Sequence, residues 1–191
     1  MSDLVSQAVE RLRAAGVKLT RGLRDREITR IEESFGLTFG PEHRALLAAA
    51  LPVGTPWVDW RKASRAEIQS RLDWPVDGAI FDVLNNGFWP ASWGERPSDP
   101  IAAEGHAREH LALVPMVVPI YSHRYLPAGP APVPSPVFSI YQTDVIFYGD
   151  NLLDYVAHEF NAPPLHPAGP DGRRHISFWS DLADGAESAD L

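Results

Sequence analysis

The chain has 191 residues, 45% of them hydrophobic, which suits one domain with a real core and excludes wholesale disorder. With 17 basic side chains against 25 acidic ones the net charge is −8, a balance that repels phosphate backbones and anionic lipid and argues against nucleic-acid and membrane partners. Cysteine is absent, so disulfide scaffolds, thiolate metal sites and cysteine nucleophiles are excluded.

The first residues, Met1-Ser2-Asp3-Leu4-Val5-Ser6-Gln7, lack the basic start and apolar run of a secretory signal. The longest apolar run, Leu111 to Tyr121, carries Pro115 and Pro119 and falls short of the ~20 residues a spanning helix needs. A soluble cytoplasmic protein is expected. Ser2 is placed to cap a helix whose apolar positions Leu4, Val5, Ala8, Val9 and Leu12 form one stripe, with Gly16 as its stop. A second helix is expected from Asp25 to Phe35, burying Ile28, Ile31 and Phe35, and ended by Gly36. Gly40 and Pro41 announce a third, with Leu46, Leu47 and Leu51 on its core side and Pro52 and Gly54 as breakers.

Ser64 and Glu67 stand in capping-box spacing, starting a short helix that should stop before Pro75. The stretch from Gly78 to Trp93 is aromatic and punctuated by Asn85, Asn86 and Gly87, so a tight turn is expected there. Asp99 and Pro100 signal a helix to about Ala112. Beyond it, Val114–Tyr121, Val137–Tyr141 and Val145–Tyr148 read as strands, the last two a hairpin around Gln142-Thr143-Asp144. Prolines between Pro127 and Pro136 predict a stiff extended excursion. Asp150 or Asn151 should cap a helix through Leu152, Leu153, Val156 and Phe160, and a second proline-rich loop (Pro163, Pro164, Pro167, Pro170) should lead to an edge strand at His175 to Phe178. The predicted class is α+β, with a small, mostly antiparallel sheet of about four strands flanked by N-terminal and C-terminal helices. Residues 1–180 are expected to form one domain with the 2–15 helix as an appendage, and 181–191 an acidic, flexible tail.

Three constellations could carry chemistry. His106-Ala107-Arg108-Glu109-His110 fits the H-x-x-E-H pattern of inverted zinc proteases, with Glu159 or Glu187 required as a third ligand; a solvated helix face is the preferred reading, with no metal. Asp144 and Asp150 are two carboxylates of the kind a glycosidase uses, although turn and cap roles suit them better. Tyr121-Ser122-His123-Arg124-Tyr125 is the richest cluster, combining the aromatic and arginine types that anchor protein interfaces, and Trp89 and Trp93 are expected to join the same surface. The structural alternative has Tyr121 and Tyr125 stacked into the core and Arg124 paired with Asp144 or Asp150. No glycine cradle for a nucleotide and no serine-nucleophile motif occurs.

The segment from Glu27 to Gly54, with Ile28, Ile31, Glu32, Phe35-Gly36-Leu37, Phe39, Pro41, Leu46, Leu47 and Leu51, is a hydrophobic helix, a glycine turn and a proline-started helix. Phe81-Asp82-Val83, Asn86-Gly87-Phe88-Trp89, Trp93-Gly94, Tyr121 to Pro127 and Tyr141 to Gly149 follow it. Over roughly residues 25 to 160 this pattern resembles bacterial members of the SUKH superfamily, the group that includes the yeast Smi/Knr cell-wall-assembly regulators. His43 stands where that family often has an aromatic residue, and Leu51-Pro52-Val53-Gly54 replaces its usual Asn-Gly ending. The resemblance implies an α+β fold and a non-catalytic role, in many bacterial members that of an immunity protein neutralising a cognate toxin.

The expected function is therefore a protein-binding module with no catalytic, cofactor or metal residues. Its expected partner surface comprises Trp89, Trp93, Tyr121, His123, Arg124, Tyr125, Asp144, Tyr148 and Asp150. A small hydrolase and a small-molecule sensor are the alternatives.

Overall fold

The apolar stripes of the first half and the β-branched runs of the second produce helices first and a sheet afterwards. The computed structural model describes residues 2–161, 173–188 and 190–191. Among them the order runs α1 (Ser2–Ala14), β1 (Leu19–Arg21), α2 (Asp25–Phe35), α3 (Pro41–Ala49), β2 (Ala50–Pro52), α4 (Arg65–Asn85), a 3-10 turn (Ala91–Trp93) and α5 (Pro100–Leu111). It continues with β3 (Val117–Tyr121), β4 (Arg124–Pro127), β5 (Val137–Tyr141), β6 (Asp144–Gly149), α6 (Leu152–Glu159) and α7 (Trp179–Ala183). The class is α+β, as expected, and no helix among the described residues is long and apolar enough to cross a membrane.

Strands β3, β4, β5 and β6 form an antiparallel sheet in chain order, while β1 and β2 make a separate short ribbon. Alternation along β4 sends Leu126 to one face of the sheet and Tyr125 to the other. Leu126 joins Val5, Ala8, Leu12, Leu46, Leu152 and Val156 of α1, α3 and α6, so the expected appendage helix contributes to a core cluster. Tyr125 joins Ala79, Ile80 and Val83 of α4, Ala107 and Leu111 of α5, and Trp179.

Helix α4 departs most from expectation. Its start is the predicted capping box: the Glu67 amide donates to Ser64 Oγ (3.2 Å) and the Ser64 amide to Glu67 Oε2 (2.9 Å). It does not stop before Pro75 but runs on to Asn85 with that proline inside. Proline lacks the N–H that would bond the carbonyl four residues back, here that of Arg71. The Tyr125 hydroxyl donates to this Arg71 oxygen instead, at 3.1 Å, so a residue on β4 supplies the donor that the helix lacks. The expected turn is confined to Asn86 and Gly87, whose φ is +75°.

Two further expectations are corrected. Residues Arg124 to Pro127 form a strand, paired with β3 and β5, where a loop was expected. His175 to Phe178 is no strand: the Phe178 amide donates to Asp181 Oδ2 at 2.6 Å, forming the entry to α7. The last residues lie along the 3-10 turn, the Ser92 amide donating to the Leu191 oxygen (2.9 Å). The proline-rich loop at Pro163, Pro164, Pro167 and Pro170 lies outside the described residues.

Candidate functional site

An antiparallel meander puts its first and third turns at the same end. Here these are Ser122-His123 between β3 and β4, and Gln142-Thr143 between β5 and β6. Ser122 and Gln142 have φ of +49° and +58°, a left-handed backbone that non-glycine residues adopt at a cost of about 1 kcal/mol. Each turn is pinned from outside the sheet. The Ser122 amide donates to the Pro56 oxygen (3.1 Å), which also accepts from Arg71 Nη1 (3.0 Å). Asp82, buried on α4, accepts from the Thr143 amide (2.9 Å) and hydroxyl (2.6 Å). Gly78 is what lets α4 come this close, since a Cβ there would sit 2.9 Å from the Gln142 Cα.

Between the two turns and α4 lies a hollow of about 340 Å³, lined by Pro56, Ser70, Arg71, Trp74, Ser122, His123, Tyr125 and Tyr141. Trp74 and Tyr141 form its walls, with ring centroids 6.4 Å apart, and remain 48% and 55% exposed. Tyr125, which is buried, gives it a floor; burial pushes the phenol pKa up and keeps the hydroxyl a donor to Arg71. Burial, and next the Arg124 charge, lowers the His123 pKa, so its ring is neutral at pH 7 and contacts Ser122 Oγ through Nδ1 at 3.1 Å. Phe81, two helical turns beyond Trp74 and also 48% exposed, extends the apolar strip along α4.

The rest of the expected surface divides into separate sets. Arg124 is buried behind the hollow, donating from Nε to Glu159 (3.0 Å) and from Nη1 to Ser139 Oγ (2.9 Å). Its guanidinium lies 3.6 Å from the Tyr148 ring centroid, and Tyr148 stacks on His158. Its ionic partner is Glu159, therefore, and neither Asp144 nor Asp150. Tyr121 is half-buried against Trp57 and Phe160. Asp150 is buried and paired with Arg173 at 2.6 Å, while Asp144 is exposed at the opposite end of β6. Six residues of extended chain separate the two by about 20 Å, well beyond the 5–9.5 Å (roughly) that glycosidase carboxylates span.

Trp89 and Trp93 do not line the hollow; they clamp the histidines of α5. His106 stacks on Trp89 and His110 on Trp93. His106 Nε2 donates to the Trp93 oxygen (2.9 Å) and lies 3.1 Å from His110 Nε2. Glu109 is exposed, and Glu159 is engaged by Arg124. Among the described residues no three His, Asp or Glu side chains gather to hold a metal ion. The H-x-x-E-H spacing thus yields an imidazole pair without the third side chain of a protease centre.

Of the expected partner residues, His123 and Tyr125 line the hollow; Trp74, Tyr141, Arg71 and Pro56 were not anticipated. A signal for Trp74 exists in the pairing with Phe81, seven residues apart and so on one helix face, but it is visible only if the helix is carried through Pro75. No family model matches the chain, and no curated protein or solved structure matches it either.

Proposed function

We propose that the protein is a non-catalytic, cytoplasmic protein-binding module of the SUKH type, and that its contact surface is the hollow walled by Trp74 and Tyr141. The observation that carries this reading is two large aromatic rings, each about half exposed, side by side on rigid elements. Rings in that state are the anchors that protein interfaces use, since they bury much area at small entropic cost. The partner is a basic protein. A net charge of −8 steers a cationic surface toward this one, and a lysine or arginine seated over the Trp74 or Tyr141 face gains a cation–π contact. The resemblance at Glu27 to Gly54 and Tyr141 to Gly149 supports a toxin as that partner, with this chain as its neutralising immunity protein.

The test is complex formation, by calorimetry, between the purified protein and the products of the genes next to its own, with protection of cells in which such a product is toxic. Trp74→Ala and Tyr141→Ala should each cost about 2 kcal/mol of binding, the size of an interface hot spot. No complex and no protection would end the immunity reading. A small-molecule sensor is the second reading, favoured by the hollow's volume of about 340 Å³, which sits at the lower end of ligand pockets. A ligand found by thermal shift whose effect disappears in Trp74→Ala would select it.

A further inference from the structure

The histidine pair of α5 takes no part in the hollow, yet it is highly organised. The Nε2 atoms of His106 and His110 are 3.1 Å apart, and the Trp93 carbonyl oxygen is 2.9 Å from the same His106 nitrogen. Both rings are held against indoles, His106 at 5.6 Å from Trp89 and His110 at 5.3 Å from Trp93, centroid to centroid. A carbonyl only accepts, so His106 Nε2 carries the proton, and His110 Nε2, facing the same N–H, presents a lone pair. One proton thus sits where two imidazole nitrogens and a carbonyl oxygen converge.

We propose that this cluster binds one divalent late first-row transition-metal ion, Cu²⁺ in preference to Zn²⁺, through Nε2 of His106, Nε2 of His110 and the Trp93 carbonyl oxygen. Metal–nitrogen bonds of about 2.0–2.1 Å set at roughly 90–110° place adjacent donors about 2.9–3.4 Å apart, the range that holds both distances from His106 Nε2, 3.1 Å to His110 Nε2 and 2.9 Å to the Trp93 oxygen. Imidazole suits copper, nickel and zinc, and the divalent series peaks at Cu²⁺. On uptake the His106 proton moves from Nε2 to Nδ1, so the ring stays neutral and exchanges its hydrogen bond for a coordinate bond. Water completes the coordination. Exposed Glu109 is not a ligand, which makes the site a two-imidazole clasp and distinguishes it from the protease centre that the spacing first suggested.

The experiment is a titration of the full chain with CuCl₂ and, separately, ZnCl₂ at neutral pH, followed by tryptophan emission and, for copper, by electron paramagnetic resonance. One equivalent of Cu²⁺ should bind more tightly than Zn²⁺, quench the emission of Trp89 and Trp93, and show two nitrogen ligands. His106→Gln and His110→Gln should each weaken binding by at least about tenfold, since even outer-shell losses at metal sites cost that much. His175→Gln, whose ring contacts Asp181 instead, should leave it unchanged. Fewer than two nitrogen ligands in the native protein's spectrum would overturn the proposal irrespective of how the variants fold. So would equal copper affinity in His110→Gln and the native chain.

Discussion

The hollow and the Arg124 web are built on successive residues of β4, Tyr125 and Arg124, which face opposite sides of the sheet; they draw on the same residue types, yet they differ in what is left over. In the web every strong group is used: Arg124 bonds Glu159 and Ser139 and covers Tyr148, and Tyr148 stacks on His158. In the hollow Trp74 and Tyr141 touch each other and keep about half of their surface in water. Aromatic and arginine content therefore does not separate a scaffold from a recognition surface; unspent contact area does. The contrast can be broken or sharpened by substitutions on each side of it.

The largest effect is expected in the web. Arg124→Ala leaves Glu159, whose side chain is only 14% exposed, without its cation, and removal of one partner of such a pair costs about 3–5 kcal/mol. An unfolding free energy, measured in urea, lowered by less than a third of that would mean that the web is ornamental to the fold. The copper site proposed on α5, whose ring contacts are with Trp89 and Trp93, should keep its affinity in any Arg124 variant that remains folded.

His43 sharpens the comparison from the opposite direction, as a buried polar group that nothing satisfies. Neither ring nitrogen has a hydrogen-bond partner, the ring lies among Phe39 and Trp60, and burial alone lowers its pKa to about 3. The unfolded chain, with a histidine pKa near 6.5, binds the proton first as pH falls, so stability is full above pH 6.5 and declines as pH drops toward 3. Between pH 7 and pH 5 this amounts to about 2 kcal/mol. His123, also lowered, adds to the slope with the same sign. His43→Phe should flatten the stability profile over that window, and an unchanged slope would show that His43 is solvated in the native state.

Tyr125→Phe comes next, at about 1–2 kcal/mol, because it strands the Arg71 carbonyl that Pro75 has already deprived of a helical donor. Restoring an N–H with Pro75→Ala should remove most of that loss. A double-mutant cycle with no coupling between the two positions would separate the hydroxyl from the helix.

The same bond explains which parts of the fold are legible in sequence. Helices α1, α2, α3, α5 and α6 announce themselves because stripe, cap and stop lie within a dozen residues, as with Asp99 accepting from the Ala102 amide or Asn151 from those of Leu153 and Asp154. The run of α4 through Pro75 is hidden because its compensation comes from Tyr125, far along the chain. β4 is hidden for a similar reason: an arginine reads as surface until Glu159 and Ser139 are brought to it. His175 to Phe178 has strand-forming residues, but the Asp181 carboxylate captures the Phe178 amide before a ladder can. In the site, His123 and Tyr125 were visible as types in a cluster. Trp74 and Tyr141 were not, since partial exposure is a property of packing that composition does not carry.

The smallest stability effect belongs to the hollow, and it discriminates best. Trp74→Ala removes a ring that is 48% exposed from a helix where alanine is the better former, so the unfolding free energy should change by no more than about 1 kcal/mol. Tyr141→Ala should behave alike, the turn beyond it being held at Thr143 by Asp82 rather than by the phenol ring. If either change destabilised the chain as much as Arg124→Ala, the two aromatics would be scaffold, and the surface proposed for a basic partner would lose its anchors. Near-native stability combined with lost binding is the outcome that only a recognition surface produces, because it separates the area a ring offers to another molecule from the area it buries in its own.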